Sequence, residues 1–477
     1  MNLESLNDEI ASELLNLAGD TKQIQWHGFL EKMSQCIISK YKAGSKDEYR
    51  KSWRKAFKEN SKRLGLKVVR DTSHSDIWAE KIAAELKPSI VDTASSSVGN
   101  STSSLQYQRI LTEKDKTLMK HMYDKISEKW ALKEGVIVED VIYNEAKDYY
   151  VEHPLHSYIL HINDNKLVDM FKPEEIEEIE KESGKADLVK ALPEPLATML
   201  MNLDEKNDFD SINEAFQDIS CNRRQQPEEY WCRESVLNYL NLFIDKDSVA
   251  SFSTEQDLLQ DMYGFIKATK HISKTTSETG SGSSASSYNR NMRRVLGSVD
   301  RIERQMVAER SDLIFKHLSS ELGCVEIGLV DHGPTGTKEL QESKLKTPKM
   351  MRSFCSQIVE QYKIRANKVK IVSIIINGPY ITAEIMTFNQ GSIGLLYTSP
   401  RLKMPESIDE VPRLLPPVLT LVYNCTQVIK NTAQFLRKNA ASVNLSPFSN
   451  INYFFPPSFV SESNNSSKKR KTHHHRQ

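Results

Sequence analysis

Arg310-Ser-Asp-Leu-Ile-Phe-Lys-His-Leu-Ser-Ser-Glu-Leu-Gly-Cys-Val-Glu-Ile-Gly-Leu-Val330 decides how the chain reads. Two short apolar runs, 311–318 and 321–330, have strand character, with Asp312 in the first and Glu326 in the second. A carboxylate inside such a run costs desolvation energy unless it has a partner, so two on consecutive strands point to function. Alternation puts Leu322, Cys324, Glu326 and Gly328 on one face of the second strand and Gly323, Val325, Ile327 and Leu329 on the other. Glu326 is thereby expected to point away from the more apolar face. If the strands are neighbours, Asp312 comes close to Glu326, and paired carboxylates offer hard oxygen ligands to Mg²⁺. A divalent ion held there would lower the pKa of a water and offset charge on a scissile phosphate.

The surrounding region mixes helix and sheet. A helix is expected from about 293 to 308, then the two strands, a helical stretch over 338–365, strands at 369–377, 380–388 and 392–398, and a helix at 415–438. Val369, Ile371, Val372, Ile374, Ile375 and Ile376 make a nearly continuous apolar run, as in a central strand covered on both faces. Asn377-Gly-Pro379 then turns the chain back antiparallel. A three-layer α/β/α or sheet-plus-helices core is expected.

Outward from this region the chain reads as multidomain, with 477 residues and mainly α N-terminal and middle regions. The divisions are a helical domain at 1–90, a Ser-rich linker at 91–105 and a mainly helical middle domain at 106–270. A Ser/Gly-rich linker at 271–291, an α/β domain at 292–441 and a disordered tail at 442–477 complete the order. The stretch 40–70 holds twelve Lys or Arg against three acids, with Tyr49, Trp53 and Phe57 four residues apart. Arg50, Arg54, Lys55, Lys58 and Lys62 are the candidate phosphate contacts of that helix. The alternative turns the aromatics to a core and leaves the cations solvated. His153, His156 and His161 cluster around Pro154, a packed or surface loop rather than a metal site, since no Cys or HExxH accompanies them.

Lys+Arg and Asp+Glu both number 64, which excludes a global field for a polyanion and confines any nucleic-acid surface to a local patch. Six scattered cysteines form no CxxC pair and suit a reducing compartment. No secretory signal and no apolar run long enough for a membrane span are read. Lys468-Lys-Arg-Lys471 resembles a nuclear import signal, so the expected location is nuclear, otherwise cytoplasmic. Gly333-Pro-Thr-Gly-Thr-Lys338 lacks P-loop spacing, and no GxSxG or Cys-His arrangement suggests other hydrolase chemistry.

Taken together, a helix, an acid on one strand, a Glu on the next and a following helix resemble the restriction-endonuclease-like PD-(D/E)XK fold over residues 293–400. Asp312 matches the first acid and Glu326 the second, and the resemblance implies Mg²⁺ on both. The family pattern puts a Lys two residues beyond the Glu, where this chain has Gly328. Lys338, at the start of the next helix, is the expected substitute. The wider chain, through Glu152-His-Pro-Leu-His-Ser-Tyr158, also looks like uncharacterised fungal proteins, which implies no activity. The reading is a nucleic-acid-associated protein with a degenerate nuclease-like domain and DNA or RNA as partner. The rival is a non-catalytic protein-interaction scaffold. A competing structural role pairs Asp312 with Arg310 or Arg352 and leaves Glu326 an ordinary edge-strand acid.

Overall fold

A computed structural model describes residues 7–39, 46–69, 110–244, 249, 252–294, 305–333, 336–440 and 454–461. The chain divides into two compact units, Met1–Gln106 and Tyr107–Gln477. In the first, helices α1 (Asn7–Ala18), α2 (Trp26–Ser39) and α3 (Lys46–Arg63) enclose Ile10, Leu14, Phe29, Trp53 and Phe57. Short strands β1 (Gln23–Ile24) and β2 (Lys67–Val68) pair in parallel beside them. Trp53 and Phe57 lie one helical turn apart and are both buried, with Trp26 edge-on to Phe57 at 5.1 Å. Arg54, Lys55, Lys58 and Lys62 are exposed and Arg50 is half-buried. The expected linker at 91–105 and the basic cluster at 468–471 lie outside the described residues.

The second unit is built on a mixed sheet of eight strands, β3 (Ile159–His161), β4 (Thr276–Thr279), β5 (Leu313–His317), β6 (Ser320–Gly328), β7 (Lys370–Asn377), β8 (Tyr380–Thr387), β9 (Gly394–Thr398) and β10 (Leu402–Lys403). Their order is β3-β9-β8-β7-β6-β5-β4, with β10 paired to β8. β4, β5 and β6 run antiparallel in sequence, and β6 is parallel to β7. That parallel step needs a crossover, supplied by helix α6 (Thr347–Tyr362). The apolar run of β7 is buried along its length, as a strand covered on both faces requires. Gly378, at φ 55°, makes the turn into β8, and Tyr263 Oη donates to its carbonyl at 3.0 Å.

Helix α6 covers one face of this sheet and α7 (Val411–Ala440) the other. On the α7 side, a Cβ on Gly323 would sit 3.0 Å from Val372 O and 3.2 Å from Ile429 Cδ1, so glycine permits the close approach of that helix. The three-layer expectation is met.

Other expectations are corrected. Residues 271–291 contain β4 and helix α5 (Ser284–Asn291) instead of a linker. Their serines read as flexible-linker composition, yet Ser283 caps α5, and Ser283 Oγ, Ser284 N and Ala285 N donate to the buried Glu321 carboxylate of β6. The middle region is continuous with the sheet, because β3 pairs with β9. Residues 305–309, the described end of the helix expected at 293–308, are not helical.

The tail is also ordered in part. Residues 454–461 form a strap over α6, with Phe455 and Phe459 buried. Arg352, fully buried, donates to Pro456 O through Nε and Nη2 at 3.1 and 2.9 Å and to Ser392 O at 3.0 Å. Its guanidinium lies 4.7 Å from the Phe455 ring centroid. Ser461 Oγ reaches Asp115 Oδ2 at 3.2 Å, the carboxylate that closes the capping box at the start of α4 (Glu113–Asp124).

Candidate functional site

The paired register begins at Leu313↔Val325, so Asp312 lies one residue before β5 and Glu326 one residue beyond Val325 on β6. Glu326 projects away from the Gly323 and Val325 face, toward the α6 side of the sheet, and the negative charge of Asp312 bears on it. Asp312 N donates to Val325 O at 3.1 Å, and Asp312 Oδ2 accepts from Ile327 N at 2.7 Å, which fixes this carboxylate against β6 just before β5 begins. Glu326 is 2% exposed. It was expected on the less apolar face of its strand, but both faces of β6 are buried, and β6 lies between β5 and β7 instead of at an edge. Arg352 is taken up by backbone carbonyls of the strap and of Ser392, so the structural role that pairs it with Asp312 is set aside.

The cation at this site comes from an unexpected position. Lys346 Nζ donates to Glu326 Oε2 at 2.6 Å. Lys338, the expected substitute, has its side chain outside the described residues, although its backbone lies in the short helix Thr337–Gln341. Between that helix and α6, residues Glu342–Lys346 form a π-helical turn, a form that is rare and concentrates at functional sites. At Gly328, where the family pattern has its lysine, a Cβ would approach Asn377 Oδ1 to 2.5 Å, so a side chain there requires the Asn377 side chain to move aside.

Burial is the main force on Glu326 and pushes its carboxyl up to about 7; Lys346 opposes this, while Asp312 and Glu342 reinforce it. Burial works against the charge of Lys346, yet Glu326, Glu342 and Asp312 together hold its pKa above the usual lysine value. Oε1 of Glu326 is buried and has no hydrogen-bond partner among the described residues. An orphaned, inward carboxylate oxygen beside a second carboxylate fits a hard cation such as Mg²⁺. Among the described residues no group of three or more His, Cys, Asp and Glu is placed to hold a metal ion.

No protein family matches this chain, and no curated protein or solved structure is detectably similar to it.

The same sheet face carries a second polar group that sequence reading missed. Ser373, opposite Cys324, donates to Glu384 Oε2 at 2.8 Å; Glu384 is completely buried and its Oε1 has no partner among the described residues. Burial, opposed by the Ser373 bond and by Lys344, pushes this carboxyl up to about 7. Opposite Glu384 stands Thr398, whose hydroxyl is 2.8 Å from His161 Nε2. Burial and then Lys344 lower the His161 pKa to about 4, so the ring is neutral at pH 7. Of the three histidines read as a cluster, only His161 joins this row. His153 caps a 3₁₀ turn at Pro154–Ser157 that contains His156, as packed structure.

Two clefts open at this face. The smaller, about 330 Å³, is lined by Arg290, Arg310, Lys346 and Lys349 against Glu152 and Glu309. Glu152 pairs with Lys349, and Arg290 lies 3.5 Å from Glu309. Arg310, two residues from Asp312, is exposed. The larger cleft, about 680 Å³, runs alongside and shares Glu152 and Leu345 with the first.

Proposed function

We propose that the second unit is a metal-dependent phosphodiester hydrolase domain acting on nucleic acid, with Asp312 and Glu326 as the metal-holding carboxylates. The observation that carries this reading is the buried ion pair of Lys346 with Glu326 Oε2, with Oε1 orphaned among the described residues and the charge of Asp312 bearing on the same carboxyl. The order of elements, α5, Asp312 before β5, Glu326 on β6, α6 and β7, supports the PD-(D/E)XK-like resemblance. The family's lysine is replaced in this reading by one from the π turn that leads into α6.

Mg²⁺, when bound, supplies a water of lowered pKa and offsets charge on the scissile phosphate. Asp312 Oδ2 accepts from Ile327 N, which orients its carboxylate. Lys346 limits the repulsion between the two acids and presents an ammonium where a water or phosphate oxygen would lie. Arg310, at the rim, can grip an incoming phosphate with its planar fork. The exposed cations of α3 give the first unit a separate, weaker hold on a phosphate backbone.

The test is cleavage of end-labelled DNA and RNA, single and double stranded, by the full chain with Mg²⁺ or Mn²⁺, with Glu326→Gln and Lys346→Met beside it. Cleavage by the parent and a loss on the order of 10²-fold or more in either variant is expected, the scale set by losing one electrostatic contact to a transition state. Failure of the parent on all four substrates with both ions would end the hydrolase reading. Retained, salt-sensitive nucleic-acid binding would then leave a binding domain, and no binding at low salt a protein-interaction scaffold.

A further inference from the structure

The larger cleft has features the hydrolase reading does not use. Its floor is His161, which is 8% exposed and held by Thr398. Lys344 stands over that ring with Nζ 3.4 Å from Nε2 and 3.5 Å from Nδ1, and it forms no ion pair with a carboxylate among the described residues. Its charge bears on Glu384 and Glu339, but its direct contacts among the described residues are with a neutral imidazole, which leaves its N–H donors open to an anion at the cleft. Lys166 adds a second ammonium, anchored on Tyr149 Oη at 2.9 Å. The remaining walls are largely apolar, and two of their residues, Leu340 and Val151, are 40% and 37% exposed. Asn163 and Asp164 place hydrogen-bonding groups at one side.

We propose that this cleft seats a single nucleotide, its phosphate on Lys344 and its base against Leu340, Leu345 and Leu396. The volume falls within the range of small-ligand pockets, and apolar walls with a few polar groups suit a flat heterocycle carrying an anion. Glu152 and Leu345 line both clefts, so a nucleotide here is next to the one that contains Lys346. The choice of nucleotide rests on the hydrolase reading, which supplies the reason for a phosphate to be nearby. The same chemistry serves a free nucleoside monophosphate or the terminal nucleotide of a strand.

Calorimetric titration of the full chain, in EDTA, with AMP, CMP and adenosine tests the pocket without depending on metal or cleavage. Both monophosphates are expected to bind, adenosine at least tenfold more weakly, and Lys344→Met to weaken AMP at least tenfold while leaving adenosine unchanged. Leu340→Asp, also at an exposed position, is expected to weaken all three. Absence of AMP binding at millimolar concentration, or AMP binding indifferent to both substitutions, overturns the proposal. Glu326→Gln is expected to bind AMP as the parent does. AMP binding in a chain that cleaves nothing keeps the pocket and removes the hydrolase; cleavage without AMP binding does the reverse. Displacement of AMP by a 5′-phosphorylated thymidine hexamer assigns the pocket to strand ends, and its failure to compete assigns it to free nucleotides.

Discussion

Glu384 is wholly buried, with one oxygen on Ser373 and the other without a hydrogen-bond partner among the described residues, so ionising it costs more than ionising a solvated carboxyl. Its pKa of about 7 in the fold lies above the ordinary 4.5, which means that the folded state binds this proton more tightly than the unfolded state. The resulting stabilisation is fully present below about pH 4.5 and is lost as pH rises through 7. Glu384→Gln removes that dependence. Relative to the parent, the variant is expected to gain on the order of 3 kcal/mol between pH 4.5 and pH 8.5, read from urea unfolding at each pH. An unchanged difference between variant and parent across that range would show that Glu384 does not titrate as its surroundings require. Glu326 shifts in the same direction but is present in both proteins, so its contribution cancels.

Between elements, Gly328 of β6 lies against the Asn377 side chain of β7. Gly328→Ala places a methyl against Asn377 Oδ1 and is expected to cost about 1–3 kcal/mol by overpacking. In an Asn377→Ala background the cost should shrink, and equal costs in both backgrounds would mean that the clash lies elsewhere. These strands also show what the sequence could reveal. Asp312 and Glu326 were readable because period-2 alternation and a short hairpin link them locally. Lys346 was not, because it reaches Glu326 only through a π turn whose register no helical periodicity announces. The place of His161 in the sheet was hidden for a related reason: its strand of three residues joins the sheet through Leu396, far along the chain. Ser283 and Ser284 were misread as linker because composition does not show that a buried Glu321 awaits their donors. On α3 the aromatic spacing correctly implied a buried seam, and its exposed cations carry a prediction of their own. The pair Arg54→Glu and Lys58→Glu should weaken nucleic-acid binding similarly across sequences and flatten its salt dependence by about one to two charges, as filter binding at several salt concentrations would show.

At the scale of the molecule, each of the two units has a core of its own, and no described helix is long and apolar enough to cross a membrane. The second unit depends on its strap. Phe459 is completely buried in a cluster with Trp130, Tyr158 and Leu395, and its backbone N–H is held by Ser157 Oγ at 2.9 Å. Phe459→Ala is expected to cost about 3–5 kcal/mol in chemical denaturation, and a loss below 1 kcal/mol would show that the strap merely rests on the surface. The composition of this stretch, rich in Ser, Asn and Pro, suggested disorder because the two anchoring aromatics are too few to make a periodic pattern. Arg352→Met leaves carbonyls of Pro456 and Ser392 without their donor, so it should loosen the strap while the sheet stays folded; hydrogen exchange at Phe459 N–H would report it. The strap also sets a clock on biosynthesis. Every strand and α6 leave the ribosome before residues 454–461, so Arg352 waits for its Pro456 acceptor until that stretch emerges. A nascent chain can therefore form the sheet early yet fasten the helix that follows the Lys346 turn only after the strap has been synthesised.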